Sequence, residues 1–261
     1  MTREHLCIFA FVLTASLCRA AVFNSDARYN TWQKLFPTDP YTRIPVYIDT
    51  AAYAASGDTT TVTNINNALL QMNTDLNGCI QFIVLPSSTN VGRDFMWISN
   101  AYNNGTVSTT CATVPGHEMS QAGRGQKLLI VGGTGAGKCG SSQRQIMGKL
   151  ANTLTLRNEY QRPDRPIAVT INNIDPSLSG VGAGMYSQYS SAIIQVYPFN
   201  PTYDFNSITQ ISPQTNAAAG QTMFTNPGGQ ATPTQARLSA IDCAALAWKY
   251  GCSIACQDPF G

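Results

Sequence analysis

The chain has 261 residues, 43% of them hydrophobic and 11% charged, with a formal net charge of +2. That is enough apolar material for the core of one large domain. A balance so near neutral, with no basic cluster anywhere, argues against a nucleic-acid partner.

Residues 1–20 read as a secretory signal: Arg3 near the start, an apolar run from Leu6 to Leu17, and Cys18-Arg19-Ala20 as a small-x-small cleavage site. The run is too short to span a bilayer, so no membrane partner is expected. Removing this segment leaves 14 of the 16 basic and 13 of the 14 acidic residues, a balance of +1. Cys79, Cys111, Cys139, Cys243, Cys252 and Cys256 remain, an even set suited to three disulfides in an oxidising compartment. His117 is then the single histidine.

Residues 21–43 are polar and aromatic without periodicity, with Trp32, Phe36 and a Pro37-Thr38-Asp39-Pro40 turn signal, and predict an extended arm. Ile44 to Asp49 predicts a strand. Asp58 is placed to cap a helix whose stripe of Val62, Ile65, Leu69, Met72 and Leu76 recurs at three- and four-residue steps. Further short apolar runs, Phe95 to Ser99 and Lys127 to Val131, predict strands. Asn104-Gly105-Thr106 is a glycosylation sequon.

Two motifs invite functions that their details oppose. Gly132 to Lys138 (GGTGAGK) stands between a strand and a helix, the context of a phosphate-binding loop. Position 139 is Cys where Ser or Thr would hold magnesium, so a flexible glycine loop is expected and nucleotide binding over 132–139 is the weakest alternative. His117-Glu118 suggests a metal, but Gln121 stands where a second histidine one helical turn on would complete the pair. A solvated loop pair is expected there.

Asn158-Glu159-Tyr160-Gln161-Arg162-Pro163-Asp164-Arg165 resembles the end of the zinc-binding stretch of the astacin family of metzincin peptidases, H-E-x-x-H-x-x-G-x-x-H-E-x-x-R-x-D-R, with Glu159, Arg162, Asp164 and Arg165 matching. Cys79-Ile80-Gln81-Phe82 resembles the family's C-I-x-F strand, Tyr203 to Ile211 its Met-turn, and Leu238 to Asp242 its final helix. The resemblance extends from Ile44 to Cys252. It implies an α+β metzincin fold: a mixed N-terminal sheet with two long helices, a cleft, and a mostly irregular C-terminal lobe ending in a helix. The implied domain is 44–256, with an upper lobe 44–158, a lower lobe 159–256 and a tail 257–261. The implied disulfides are Cys79–Cys252 and Cys111–Cys139, which leave Cys243 with Cys256. Glu159, Arg162, Asp164 and Arg165 are implied to be structural.

Against that pattern the chemistry is replaced. Gly148 and Lys149 stand at the family's first His-Glu, Asn152 at the second His, Thr155 at the Gly and Asn158 at the third His. Zinc peptidases need two histidines a turn apart, a carboxylate to take a proton from water, and a third ligand past a sharp turn. Glycine offers no side chain, an amide is a weak zinc ligand, and a lysine ammonium has donors only. Thr209 replaces the Met-turn methionine and Ile211 the tyrosine that helps stabilise the oxyanion. Thr155 in a left-handed conformation costs on the order of 1 to 2 kcal/mol, so the turn is expected to be reshaped.

The expectation is a secreted, extracellular pseudoprotease without catalytic residues, metal or cofactor, which binds a peptide or extracellular protein in the former substrate cleft. Lys149, Asn152, Asn158 and Gln210 are expected to converge as a hydrogen-bonded polar plug where the metal would sit. The alternative is residual hydrolysis by a non-zinc site, a Ser or Thr with Lys149 as neutral base.

Overall fold

The computed structural model describes residues 20–26, 28–34, 38–88, 93–118, 125–165, 169, 171–181, 186–199, 203–225 and 233–252. The expected signal segment up to residue 19, Cys256 and the tail 257–261 lie outside the described residues.

Four strands, β3 (Thr42–Ile48), β4 (Ile80–Leu85), β5 (Phe95–Ser99) and β7 (Gly125–Leu129), form a sheet in the order β4-β3-β5-β7, every pair parallel. Antiparallel pairing forms two small sheets, β1 (Ala20–Asn24) with β8 (Ile194–Tyr197) and β2 (Tyr29–Asn30) with β6 (His117–Glu118), and isolated bridges such as Ala112 with Leu129. A parallel sheet needs crossovers that cover its faces. Helix α2 (Thr59–Asp75) supplies one between β3 and β4, after the short α1 (Thr50–Ala55).

The α2 stripe behaves as its spacing dictates: Ile65, Leu69, Met72 and Leu76 are buried, Val62 lies at the edge of the same core, and the Asp58 carboxylate accepts from the Thr61 N–H at 3.2 Å. Beneath it Ile44, Val46 and Ile48 of β3 alternate inward with Met96 and Ile98 of β5. Helix α3 (Gln143–Thr153), capped by Ser142, sends Ile146, Met147, Leu150 and Ala151 into this core. The last helix, α4 (Ala240–Tyr250), opens on a Ser239/Asp242 capping box, ends on left-handed Gly251 and adds Cys243, Leu246 and Tyr250. A second, smaller cluster gathers Tyr160, Val169, Tyr186, Met223 and Phe224.

The arm is docked rather than free. Phe23 is fully buried and Trp32 nearly so, and the Trp32 indole N–H donates to the Thr153 carbonyl at 3.0 Å. Two aromatic anchors in a polar stretch explain this, since each buries a large apolar area. Strand β1 also ties to the residues after α3: Asn24 N–H donates to Thr155 and Arg157 N–H donates to Val22, at 3.1 and 2.7 Å.

Two disulfides, Cys79–Cys252 and Cys111–Cys139, tie α4 to the sheet and the loop before β6 to the start of α3. Cys243 is also disulfide-bonded. Its expected partner, Cys256, lies outside the described residues. No helix among the described residues is long and apolar enough to cross a membrane.

Candidate functional site

The site forms where α3 passes the segment Tyr203–Ile211. Gly148 sits at the crossing: a Cβ built there would lie 2.9 Å from the Ile208 carbonyl oxygen, so this helix position has no room for a side chain unless backbone moves. One turn on, Asn152 is buried, and its Nδ2 donates to the Leu156 carbonyl at 2.8 Å and to Asn158 Oδ1 at 3.2 Å. Asn158 passes the chain on, donating to Gln161 Oε1 at 2.6 Å, which also accepts from the Tyr189 hydroxyl at 2.7 Å.

The expected plug is thus half present. Asn152 and Asn158 are joined, but the network runs outward to Gln161 and Tyr189. Gln210 instead accepts from the Tyr203 hydroxyl at 2.7 Å, which leaves its buried Nε2 without a partner. The Lys149 side chain makes no ion pair or hydrogen bond among the described residues, and burial alone pushes its ammonium pKa down. Amides pair with one another because each carries donor and acceptor, whereas lysine brings only donors.

Thr155 keeps the left-handed turn, with φ at 77°, so the expected reshaping does not occur. The strand-like bonds from Asn24 to Thr155 and from Arg157 to Val22 flank the turn and hold the strained residue in place. Its hydroxyl is buried without a partner.

Beyond the turn, Glu159 is buried; its Oε1 accepts from Arg162 at 2.7 Å and from the Asp204 N–H at 2.8 Å. Burial pushes the Glu159 carboxyl up to about 8, against the pull of Arg162. Arg162, fully buried, forks onto Asp164 at 3.0 and 2.9 Å, and Arg165 donates to the carbonyls of Tyr160 and Tyr186. Thr209 works as a clamp: its hydroxyl accepts from the Glu159 N–H and donates to the Arg157 carbonyl, both at 3.1 Å. Ile211 packs against the smaller apolar cluster.

Between these elements lies a cavity of about 230 Å³ lined by Lys138, Arg144, Lys149, Tyr160, Ile208, Gln210 and Ile211 among others, with no Asp or Glu in its wall among the described residues. A second hollow of about 330 Å³ adjoins it through Lys149, Asn152, Asn158 and Tyr160. Together they form the groove that runs past the end of α3.

The donor set does not fit a zinc ion. Gly148 has neither a ligand atom nor space for one, and both Asn amides are committed to neighbours. Among the described residues no group of three His, Cys, Asp or Glu side chains is gathered. His117 is not the solvated loop residue expected from sequence. It is buried on β6, tilted against Trp32 with centroids 4.7 Å apart, its Nε2 2.8 Å from Asp94. The docked arm is the reason, because Trp32 covers it.

The glycine loop is also built for structure. Gly133, Gly135 and Gly137 take positive φ, but the amides at the helix end of the loop are in use: Gly137 donates to Asn216 Oδ1 at 2.7 Å, Lys138 to Gly135, and Cys139 and Gly140 to Val131. Asn104, the sequon residue, is exposed.

No protein-family model and no curated protein matches the chain. Among solved structures, the backbone matches high choriolytic enzyme 1, a hatching enzyme zinc-protease from Oryzias latipes (medaka fish), with TM-score 0.57 and 21% identity over 85% of this chain and 95% of that one. The fold is astacin-like. The α+β architecture implied by the sequence resemblance is therefore the one observed.

Gln161, Tyr189 and Arg144 belong to the site and were not singled out as site residues from sequence, while Lys138, read there only as the lysine of the glycine loop, lines the cavity. Arg144 donates to the carbonyls of Gln235, Asn206 and Ser207, bridging α3 to two distant loops. The one legible signal for it was an arginine on the α3 segment of an otherwise weakly charged chain.

Proposed function

We propose that this protein is a secreted, catalytically inactive relative of astacin-type zinc proteases that works by binding, with its former substrate groove holding an extended peptide or a segment of an extracellular protein. The observation that carries the reading is the contact between Gly148 and the Ile208 carbonyl, which removes both the first ligand and the space for it. Lys149 reinforces it, since an ammonium opposes a nearby dication and has no acceptor lone pair while charged. The disulfides favour an oxidising, extracellular setting. A hydrogen-bonded Asn152–Asn158–Gln161–Tyr189 wall takes over the task of joining the helix to the segments beyond it, so the domain holds together without metal.

Non-zinc hydrolysis is the lesser reading. A lowered Lys149 pKa suits a general base, but no Ser or Thr is hydrogen-bonded to it among the described residues. Incubation of the purified protein with denatured casein, with and without added zinc, alongside an ATP titration, tests all of these. No cleavage and no ATP binding is expected; zinc-dependent cleavage would overturn the binding reading, and chelator-resistant cleavage lost in Lys149→Met would favour the hydrolase.

A further inference from the structure

After β5 the chain turns back on itself as a short hairpin whose tip carries the one Asn-x-Ser/Thr sequon of the sequence, Asn104-Gly105-Thr106. The Ser108 N–H donates to the Asn100 carbonyl at 2.8 Å, the Tyr102 N–H to Thr106 at 2.9 Å, and the Gly105 N–H to Tyr102 at 3.0 Å. Gly105, with φ at 80°, is the left-handed residue that closes a three-residue hairpin loop. Every residue from 102 to 107 is exposed. Asn104 Oδ1 accepts from the Thr106 N–H at 3.0 Å, which holds the side-chain amide and leaves Nδ2 without a hydrogen bond among the described residues.

Tyr102 stands two residues before Asn104 and opposite Thr106 across the hairpin, next to the bridge between Ala101 and Val107. Its hydroxyl lies 3.3 Å from Oγ of Ser108, which is itself buried, so the far end of the ring is tethered. Tyr102 is nevertheless 48% exposed. A fixed aromatic ring, half open to solvent beside a free amide nitrogen, is an apolar platform ready for a group attached at that nitrogen.

We propose that Asn104 is N-glycosylated and that the first sugar lies on the Tyr102 ring. In the transfer Asn104 Nδ2 loses a proton and bonds to the anomeric carbon of a lipid-diphosphate-linked oligosaccharide. The bond from that carbon to the diphosphate oxygen breaks, and the lipid diphosphate leaves with its electron pair. The exposed turn offers the room that so bulky a modification needs. The C–H face of the sugar meets the ring, which removes apolar surface of both from water. The proposal rests on the secretory half of the reading above and is independent of the groove.

The test expresses the full chain in a eukaryotic secretory host and weighs the secreted protein before and after peptide N-glycosidase. One glycan, mapped to the peptide that contains Asn104 and absent from Asn104→Gln, is expected. A secreted protein with a bare Asn104 would overturn the site while the secretory reading stands. A chain kept in the cytosol without sugar would overturn both. Melts after an endoglycosidase has trimmed the glycan to its first sugar test the ring. Tyr102→Ala should lower the melting temperature by about 2 to 4 °C more in the trimmed glycoprotein than in the Asn104→Gln background. Equal losses in the two backgrounds would overturn the contact between sugar and ring.

Discussion

Gly148 on α3 faces the carbonyl oxygen of Ile208 so closely that a Cβ at this position would stand 2.9 Å from it. Alanine is ordinarily favoured over glycine in a helix by about 1 kcal/mol. Here the contact reverses the sign, and Gly148→Ala should lower stability by roughly 1 to 2 kcal/mol, as overpacking does. Urea unfolding of the two proteins measures it; a more stable alanine variant would show that the segment yields freely and that a ligand-bearing side chain fits.

Thr155 stores strain that the docked arm holds in place. Its φ of 77° and its partnerless buried hydroxyl both count against it. Thr155→Gly relieves both and loses one buried methyl and some chain entropy, so a net gain of about 1 kcal/mol is expected. An unchanged or lower unfolding midpoint would mean that the threonine is better accommodated than its geometry indicates.

Thr209 fastens the segment under the cleft to the residues after α3 through the Glu159 N–H and the Arg157 carbonyl. Thr209→Val keeps the shape and removes both bonds, leaving a buried N–H without an acceptor. The expected loss is about 1 to 3 kcal/mol, read from denaturant melts; a neutral effect would deny the clamp.

The Glu159 carboxyl, raised from an ordinary 4.5 to about 8 by burial, holds its proton in the folded protein where the unfolded chain has released it. Its contribution to stability is therefore full below pH 4.5 and lost as the pH rises through about 8. Unfolding midpoints at pH 5 and pH 8 should fall more steeply with pH in the parent than in Glu159→Gln. Identical slopes would show that Arg162 keeps the carboxylate ionised throughout.

How much of this was legible depended on whether a residue's partners are near it in sequence. The stripe from Ile65 to Leu76 and the caps at Asp58, Ser142 and Ser239 act within a few residues, and α2, α3 and α4 follow from them. The damaged frame from Gly148 to Asn158 could be read because the family pattern fixes its spacing. What could not be read is long-range: Trp32 bonding to Thr153 and covering His117, Tyr189 reaching Gln161, and Gln210 turning to Tyr203 rather than to Asn152. Amides and hydroxyls in irregular segments have many possible partners, and only the packed chain selects among them. The solvated reading of His117 failed for that reason.

Lys149→Met should raise the unfolding midpoint, since an unpartnered cation is removed from a largely desolvated place, by on the order of 1 kcal/mol. Denaturant melts of the two proteins check it, and a lower midpoint in the methionine variant would mean that the ammonium is well solvated where it lies.

The most direct measurement is the metal content of the purified protein together with its thermal melt in chelator and in added zinc. The account predicts no stoichiometric zinc and one melting temperature in the untreated protein, in chelator and in added zinc. One equivalent of bound zinc, with a melting temperature that drops on chelation, would contradict it.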